Sequence, residues 1–500
     1  MRKTLATPLP TQQSDPPKSK ELGVLIRTRR ALAAGLAVAA AVGLAVVASP
    51  AQAAPSAAAT QSATSVDILE RLKAVPGLTV VSESATPPVG YRFFILTIKQ
   101  PVDHHKPRGA TFEQRFQLLH KDTARPVVLH TSGYNMSTNA FRSEPTRLVD
   151  GNQISVEQRF FTPSRPANAD WDDLDIWQAA TDHHRLVGAL KKIYGAKWIS
   201  TGASKGGMTS VYHRRFYPQD VDGVVAYVAP NDAVNDSDRA YDRFFQTVGN
   251  DPACRTKLED VQKEALKRRT ALVAKYQAAA TTAGWTFTGV LGSIDKAYEM
   301  TVLDTVWAFW QYSTQADCAT VPAKTATDDQ LYAFIDATAG FAFYADQGIT
   351  PYAPYFYQAA TQLGWPQPRF EHLRGLTKYP NLYQANSSLP PDLRRRHDAK
   401  PMLDVDRWVR SRGSEFLFVY GANDPWGAEQ FVPSRRDSHL YIAPGANHGA
   451  NIAALSPADA AAATATLRRW ANVTAPAFAA AAGDGITDLD RAEPPRRRPF

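Results

Sequence analysis

Lys197-Trp198-Ile199-Ser200-Thr201-Gly202-Ala203-Ser204-Lys205-Gly206-Gly207-Met208 constrains this chain more than any other stretch. It reads as a short buried strand, a tight turn of the form G-x-S-x-G, and the start of a helix running on through Thr209, Val211, Tyr212 and Phe216. A serine on so sharp a turn needs neighbours with little or no side chain, which Gly202, Ala203, Gly206 and Gly207 supply. The hydroxyl then stands clear at the strand's C-terminal end. The Lys205 N–H, at the helix N-terminus, faces the place where an oxyanion would form. Such a string also arises by chance in a chain rich in Gly, Ala and Ser, so the flanking strand and helix carry the argument.

The surrounding pattern alternates strands and helices. Residues 91–98 and 111–119 read as an antiparallel pair at a sheet edge, joined by a turn in which His104 and His105 are expected in solvent. Further strands are expected at 126–130, 152–156 and 223–230, with a helix over 175–194 whose apolar positions fall on one face. Late in the chain, strands at 414–421 and 438–443 end in Gly421-Ala422-Asn423-Asp424 and Pro444-Gly445-Ala446-Asn447-His448. A nucleophilic serine needs a base to take its proton and an acid to orient that base. Ser204, Asp424 and His448 fall in the order Ser, Asp, His at successive strand ends, the arrangement of an α/β-hydrolase. Asp404, Asp406 and Asp437 are the other acids in range, and none directly follows a strand; His183, His184 and His213 lie within helices. The loop after strand 126–130 places Gly133 or Tyr134 to give a second oxyanion N–H beside Lys205.

The fold class expected is therefore α/β, with a mostly parallel sheet and an inserted helical cap. The hydrolase domain occupies 67–234 and 399–474, and the cap 235–398. Helices are expected there at 257–281, 301–312 and 328–343, among many aromatic residues. A final helix over 456–470 precedes a loosely ordered tail, 475–500.

Charge matters because a net +8 invites a nucleic-acid reading. Arg2, Lys3, Lys18, Lys20, Arg27, Arg29 and Arg30 against Asp15 and Glu21 put five of those charges ahead of residue 54. The remainder gives no basis for a nucleic-acid partner. That basic stretch leads into an Ala/Leu/Val run over 31–48 and Ala51-Gln52-Ala53, the pattern of a secretory signal peptide (1–53); a membrane anchor is the alternative. A flexible segment, 54–66, follows. Cys254 and Cys318 are the two cysteines. In an exported chain they are expected to pair, closing a loop worth about 4 kcal/mol on the chain-entropy model. Two buried thiols are the alternative. No metal-binding spacing occurs, and no cofactor is expected.

Five stretches together resemble the secreted bacterial tripeptidyl aminopeptidases, which include the prolyl tri- and tetrapeptidyl aminopeptidases: Pro101-Val102-Asp103-His104, Thr111-Phe112-Glu113-Gln114-Arg115, Val156-Glu157-Gln158-Arg159-Phe160-Phe161, Gly202-Ala203-Ser204-Lys205-Gly206-Gly207 and Asn423-Asp424-Pro425-Trp426. A more distant resemblance is to the prolyl carboxypeptidase and dipeptidyl peptidase 7 group. Ala203 and Lys205 stand where that group places Gly and Tyr, so carboxypeptidase specificity is not carried over. The resemblance implies a secreted exopeptidase releasing tripeptides, or tetrapeptides, from free N-termini, often with proline before the cut; a monomer with no stable membrane association after signal cleavage is expected.

Such an enzyme must bind a free ammonium, for which Glu157 is the candidate; a partner of Arg159 or a loop anchor is the other reading of Glu157. Trp426, Tyr355, Tyr357 and Trp365 are candidates for a proline pocket. A secreted lipase or esterase of the same fold, and a non-catalytic surface binding protein, are the competing functions.

Overall fold

The computed structural model describes residues 66–168, 170–234, 238–474 and 488–491. The expected leader, nearly all of the segment 54–66 and most of the tail lie outside them. Nine strands form one sheet: β1 (Leu78–Glu83), β2 (Arg92–Pro101), β3 (Thr111–His120), β4 (Val127–Thr131), β5 (Asn152–Val156), β6 (Trp198–Ala203), β7 (Gly223–Tyr227), β8 (Phe416–Gly421) and β9 (His439–Ala443). Their order is β1-β2-β3-β5-β4-β6-β7-β8-β9. Pairing is antiparallel from β1 to β5 and parallel from β5 through β4 to β9. This is the α/β-hydrolase arrangement, with the antiparallel pair at one edge joined by a further strand, β1, which is largely exposed.

Strands β5, β7 and β8 are buried along their whole length, because helices cover both faces of a parallel sheet. The period-two alternation decides which face each residue serves. Leu129, Trp198, Val224 and Phe418 enter the core on one face, and Val128, Ile199, Val225 and Leu417 enter the core on the other. The longer helices are α1 (Ile176–Leu190), α2 (Lys205–Phe216), α3 (Arg239–Thr247), α4 (Pro252–Lys267), α5 (Arg269–Ala283), α6 (Ile294–Tyr312), α7 (Asp328–Ala339), α8 (Lys400–Ser411) and α9 (Pro457–Trp470). Asp175 caps α1 by accepting the Gln178 N–H.

Helices α3 to α7 share a core of their own, including Leu258, Leu272, Tyr298, Phe309 and Ile335. Helix α8 instead packs Met402, Val405 and Val409 against the sheet. The single helix expected over 257–281 is two. The chain breaks at Arg268, whose guanidinium leaves the helix to donate to the carbonyls of Ala326 and Lys324. Helix α6 starts earlier than expected because Ser293 caps it through the Lys296 N–H. Cys254 of α4 and Cys318 after α6 form a disulfide with Cα atoms 5.4 Å apart.

Two expectations are corrected. His104 is not in solvent: its side chain is 3% exposed and its Nε2 lies 2.7 Å from Asp182 Oδ1. Within the tail, residues 488–491 form a helical turn, and Asp490 accepts two 2.7 Å bonds from Arg142.

Candidate active site

Ser204 occupies the turn between β6 and α2 with φ 55° and ψ −127°, a backbone conformation rare for a residue with a Cβ. The turn is held by its surroundings: the Ser204 N–H donates to Tyr227 O at 2.9 Å, and Ser204 O accepts from Met208. Space around it is scarce. A Cβ on Gly202 would lie 2.6 Å from Thr131 O, and one on Gly206 would lie 2.8 Å from Ser132 O. The glycines that the sequence required are those that let β4, β6 and α2 meet.

Asp424 follows β8 and His448 follows β9. His448 Nδ1–H donates to Asp424 Oδ2 at 2.7 Å, and both side chains are buried. The other Asp424 oxygen accepts the Trp426 N–H at 3.1 Å, which fixes the carboxylate's orientation. His448 Nε2, the nitrogen left for a substrate-side proton, is buried and has no protein partner. The histidine loop is tied to the end of α6, with the His448 N–H on Gln311 O at 3.1 Å and Asn447 Nδ2 on Ser313 O at 3.0 Å. Nothing in the sequence flagged that link between the helical region and the histidine.

Lys205 is 1% exposed, and its Nζ donates to Gly133 O at 2.6 Å while lying 5.7 Å from the centre of the Tyr134 ring. Burial with no counter-charge lowers its pKa to about 7. The Gly133 loop is pressed onto the start of α2, where a Cβ on Gly133 would lie 2.6 Å from Gly206 N. The Tyr134 N–H turns to Ser132 Oγ at 3.2 Å, whereas the Tyr134 hydroxyl faces Ser204. Burial pushes that phenol well up, against the opposing influence of Ser204.

Glu157 does not fit an ammonium site. It is fully buried, and both carboxylate oxygens are taken, by Arg115 at 2.6 Å, Ser164 Oγ at 2.7 Å, and the N–H groups of Ser164 and Met136 at 3.3 Å. It anchors the loops around β5. Its neighbour Arg159 uses all five N–H donors, two on Asp182 and three on the carbonyls of Pro101, Val102 and Asp173.

The aromatic candidates separate. Trp426 has its ring centre 6.3 Å from that of His448, and packs on Trp307 at 4.9 Å and Trp365 at 5.8 Å. Tyr355 joins Trp365 to Tyr134. Tyr357 faces away, its hydroxyl donating to Asp172 at 2.7 Å beside Trp171. Trp307 was one aromatic among many in the sequence, and only the fold puts it against Trp426. On its other side a cavity of about 470 Å³ opens among α3, α4 and α6, lined by Arg239, Arg243, Arg369 and Glu371 among others and by no residue of the Ser204, Asp424 and His448 set.

Residues 61–487 match the model of the family described as PS-10 peptidase S37. The prolyl tri/tetrapeptidyl aminopeptidase of Streptomyces mobaraensis is 55% identical over 421 residues, which cover 83% of this chain and 87% of that protein. Among solved structures, the peroxisomal alpha-beta-hydrolase Lpx1 of Saccharomyces cerevisiae aligns at 12% identity and a TM-score of 0.33, over 81% of this chain and 95% of that one. The proline iminopeptidase of Mycobacterium smegmatis gives 12% and 0.33, over 75% and 99%.

Proposed function

The chain belongs to the PS-10 peptidase S37 family and is a serine peptidase, and from that premise we propose that it is an exported enzyme releasing tripeptides or tetrapeptides from free N-termini, with proline favoured before the cut. The observations that carry the mechanism are the 2.7 Å Asp424–His448 bond, which leaves His448 Nε2 open, and a serine held on a strained turn between β6 and α2. The substrate reading is supported by the name of the 55% identical relative. Export is supported by the basic and apolar leader pattern and by a disulfide, which persists in oxidising compartments.

In this mechanism Ser204 Oγ attacks the scissile carbonyl carbon while His448 Nε2 takes its proton. Asp424 keeps the other ring nitrogen protonated and stabilises the imidazolium. His448 then protonates the leaving amine, and water repeats the cycle on the acyl-enzyme. The Lys205 and Gly133 N–H groups hold the oxyanion, each contributing roughly 3 kcal/mol. Gly133 is chosen over the Tyr134 N–H because the latter is turned to Ser132. Lys205 Nζ, bonded to Gly133 O, keeps that loop seated on α2. Trp426, Trp365 and Tyr355, with Trp307, offer flat apolar faces for a proline ring.

Mass spectrometry of the fragments released from an unblocked peptide with proline at its third position is the test. Tripeptide release by the wild type, lost about a millionfold in Ser204→Ala, is expected. Internal cleavage, or unchanged turnover in the variant, would end the reading.

A further inference from the structure

The proposed activity demands an acceptor for the substrate's ammonium, and Glu157 is closed to it. Among the described residues, the buried carboxylate of Asp232 has an open oxygen. Asp232 lies on the loop that leaves β7, the strand whose Tyr227 O holds the Ser204 N–H. Val228 at φ 42°, strained for a β-branched residue, bends the chain there. The loop is then pinned to the segment after β8, with the Asn231 N–H on Glu429 O at 3.0 Å and a bridge between Pro230 and Gln430. Asp232 and Glu429 are thus brought together from neighbouring strand ends, with Asp238 at the start of α3 adding a third carboxylate.

Asp232 is 4% exposed, and its Oδ2 has no hydrogen-bond partner in the protein. An unpaired carboxylate so deeply buried is costly, and burial together with the charges of Asp238 and Glu429 raises its pKa well above the usual range. Glu429, half-buried, is also raised by burial, against the pull of Arg243 and Arg410, and makes no ion pair among the described residues.

A second observation, independent of the acids, points to a ligand. The Tyr241 hydroxyl is fully buried, has no partner, and feels the charges of Asp232, Glu429, Asp238 and Asp424. Its ring packs on Trp307, Trp307 on Trp426, and Trp426 lies beside His448. The indole N–H groups of Trp307 and Trp426 are likewise buried and unpartnered, as is His448 Nε2. Unsatisfied buried polar atoms thus occur at His448, Trp426, Trp307, Tyr241 and Asp232, and ring contacts join the first four in that order. Groups of this kind are retained in a fold when something outside the chain completes them.

We propose that Asp232, with Glu429 beside it and the Tyr241 hydroxyl, binds the protonated N-terminal amine of the peptide substrate. The inference rests on the exopeptidase reading above and adds how the enzyme counts residues. An extended chain advances about 3.3 Å per residue, so a tripeptide's nitrogen sits about 10 Å from the scissile carbonyl. Ring-centre steps of 6.3, 4.9 and 5.3 Å lead from His448 through Trp426 and Trp307 to Tyr241, and the ammonium supplies a partner for the open Asp232 Oδ2.

The test compares Ala-Ala-Pro p-nitroanilide carrying a free amine with its N-acetylated form, for the full-length wild type, Asp232→Asn and Glu429→Gln. For Asp232→Asn, kcat/KM on the free amine is expected to fall about 100-fold, mostly through KM, with no matching fall on the acetylated substrate. Glu429→Gln moves the same ratio less. The melting temperature of Asp232→Asn at pH 8 is expected to hold or rise, because a destabilising buried charge is gone. A merely structural carboxylate gives the opposite: a lower melting temperature and equal losses on both substrates. That result, a free-amine preference unchanged in both variants, or a wild type whose activity requires a divalent cation removable by EDTA, would overturn the assignment. Wild type that cleaves neither anilide would instead bring down the peptidase reading, and this inference with it.

Discussion

Two buried polar clusters flank the sheet's working edge, and they are built on opposite plans. Around Arg159, every donor has an acceptor, Asp182 balances the charge with both oxygens bonded, and His104 adds a further bond to Asp182 Oδ1. Arg159 and His104 hold the Asp182 carboxylate below its usual range in spite of its burial. Around Asp232, three acids gather with no ion pair to Asp232 itself, and the Tyr241 hydroxyl beside them is unpartnered. A closed network fixes the fold, whereas an open one costs stability and persists where a ligand repays it. Each cluster holds a deeply buried aspartate, and the donors that reach it are what separate the two.

Arg159→Met tests the closed cluster hardest. It strands Asp182 without its counter-charge, and a loss of about 3–5 kcal/mol in urea unfolding is expected. A loss under about 1 kcal/mol would show the network to be incidental. Glu157→Gln comes next. It weakens a saturated carboxylate whose partner Arg115 keeps some contact with solvent, so about 1–3 kcal/mol of stability is expected to go. The preference for free-amine over acetylated peptides should not move; a shift in that ratio would reinstate Glu157 as the ammonium acceptor.

Lys205→Met gives the smallest effect and probes the case between the two plans, a buried cation with a carbonyl partner and no counter-charge. The lysine's pKa falls from 10.5 to about 7 on folding. Between those values the unfolded chain holds a proton that the folded one has released, so this group makes the wild type more stable as pH rises across the window. Urea midpoints measured at pH 7 and pH 9 should differ less in the variant than in the wild type. An identical pH dependence in both would mean that Lys205 keeps its proton when buried.

Much of the sheet was legible because it rests on local signals. Runs such as Asn152–Val156 and Gly223–Tyr227 are short, apolar and bounded by turn residues, and the elbow's glycines announce the close approach of β4 and α2. Strand β1 escaped notice because only Leu78 in it is buried. In the helical region periodicity located α6 and α7 but not the break at Arg268, which depends on carbonyls nearly sixty residues away. Tyr357 and Tyr355 are two residues apart and looked equivalent as pocket aromatics. The helix they share turns one toward Tyr134 and the other toward Asp172.

By itself the sequence determined the order of serine, acid and histidine and the small residues of the turn, since these follow from chain order and local sterics, and it limited each cysteine to one possible partner. Only the tertiary structure decided which buried charges are answered. Whether a carboxylate anchors a loop, as Glu157 does, or waits for a cation, as we assign to Asp232, depends on donors brought from distant strands, and no spacing along the chain encodes that distance.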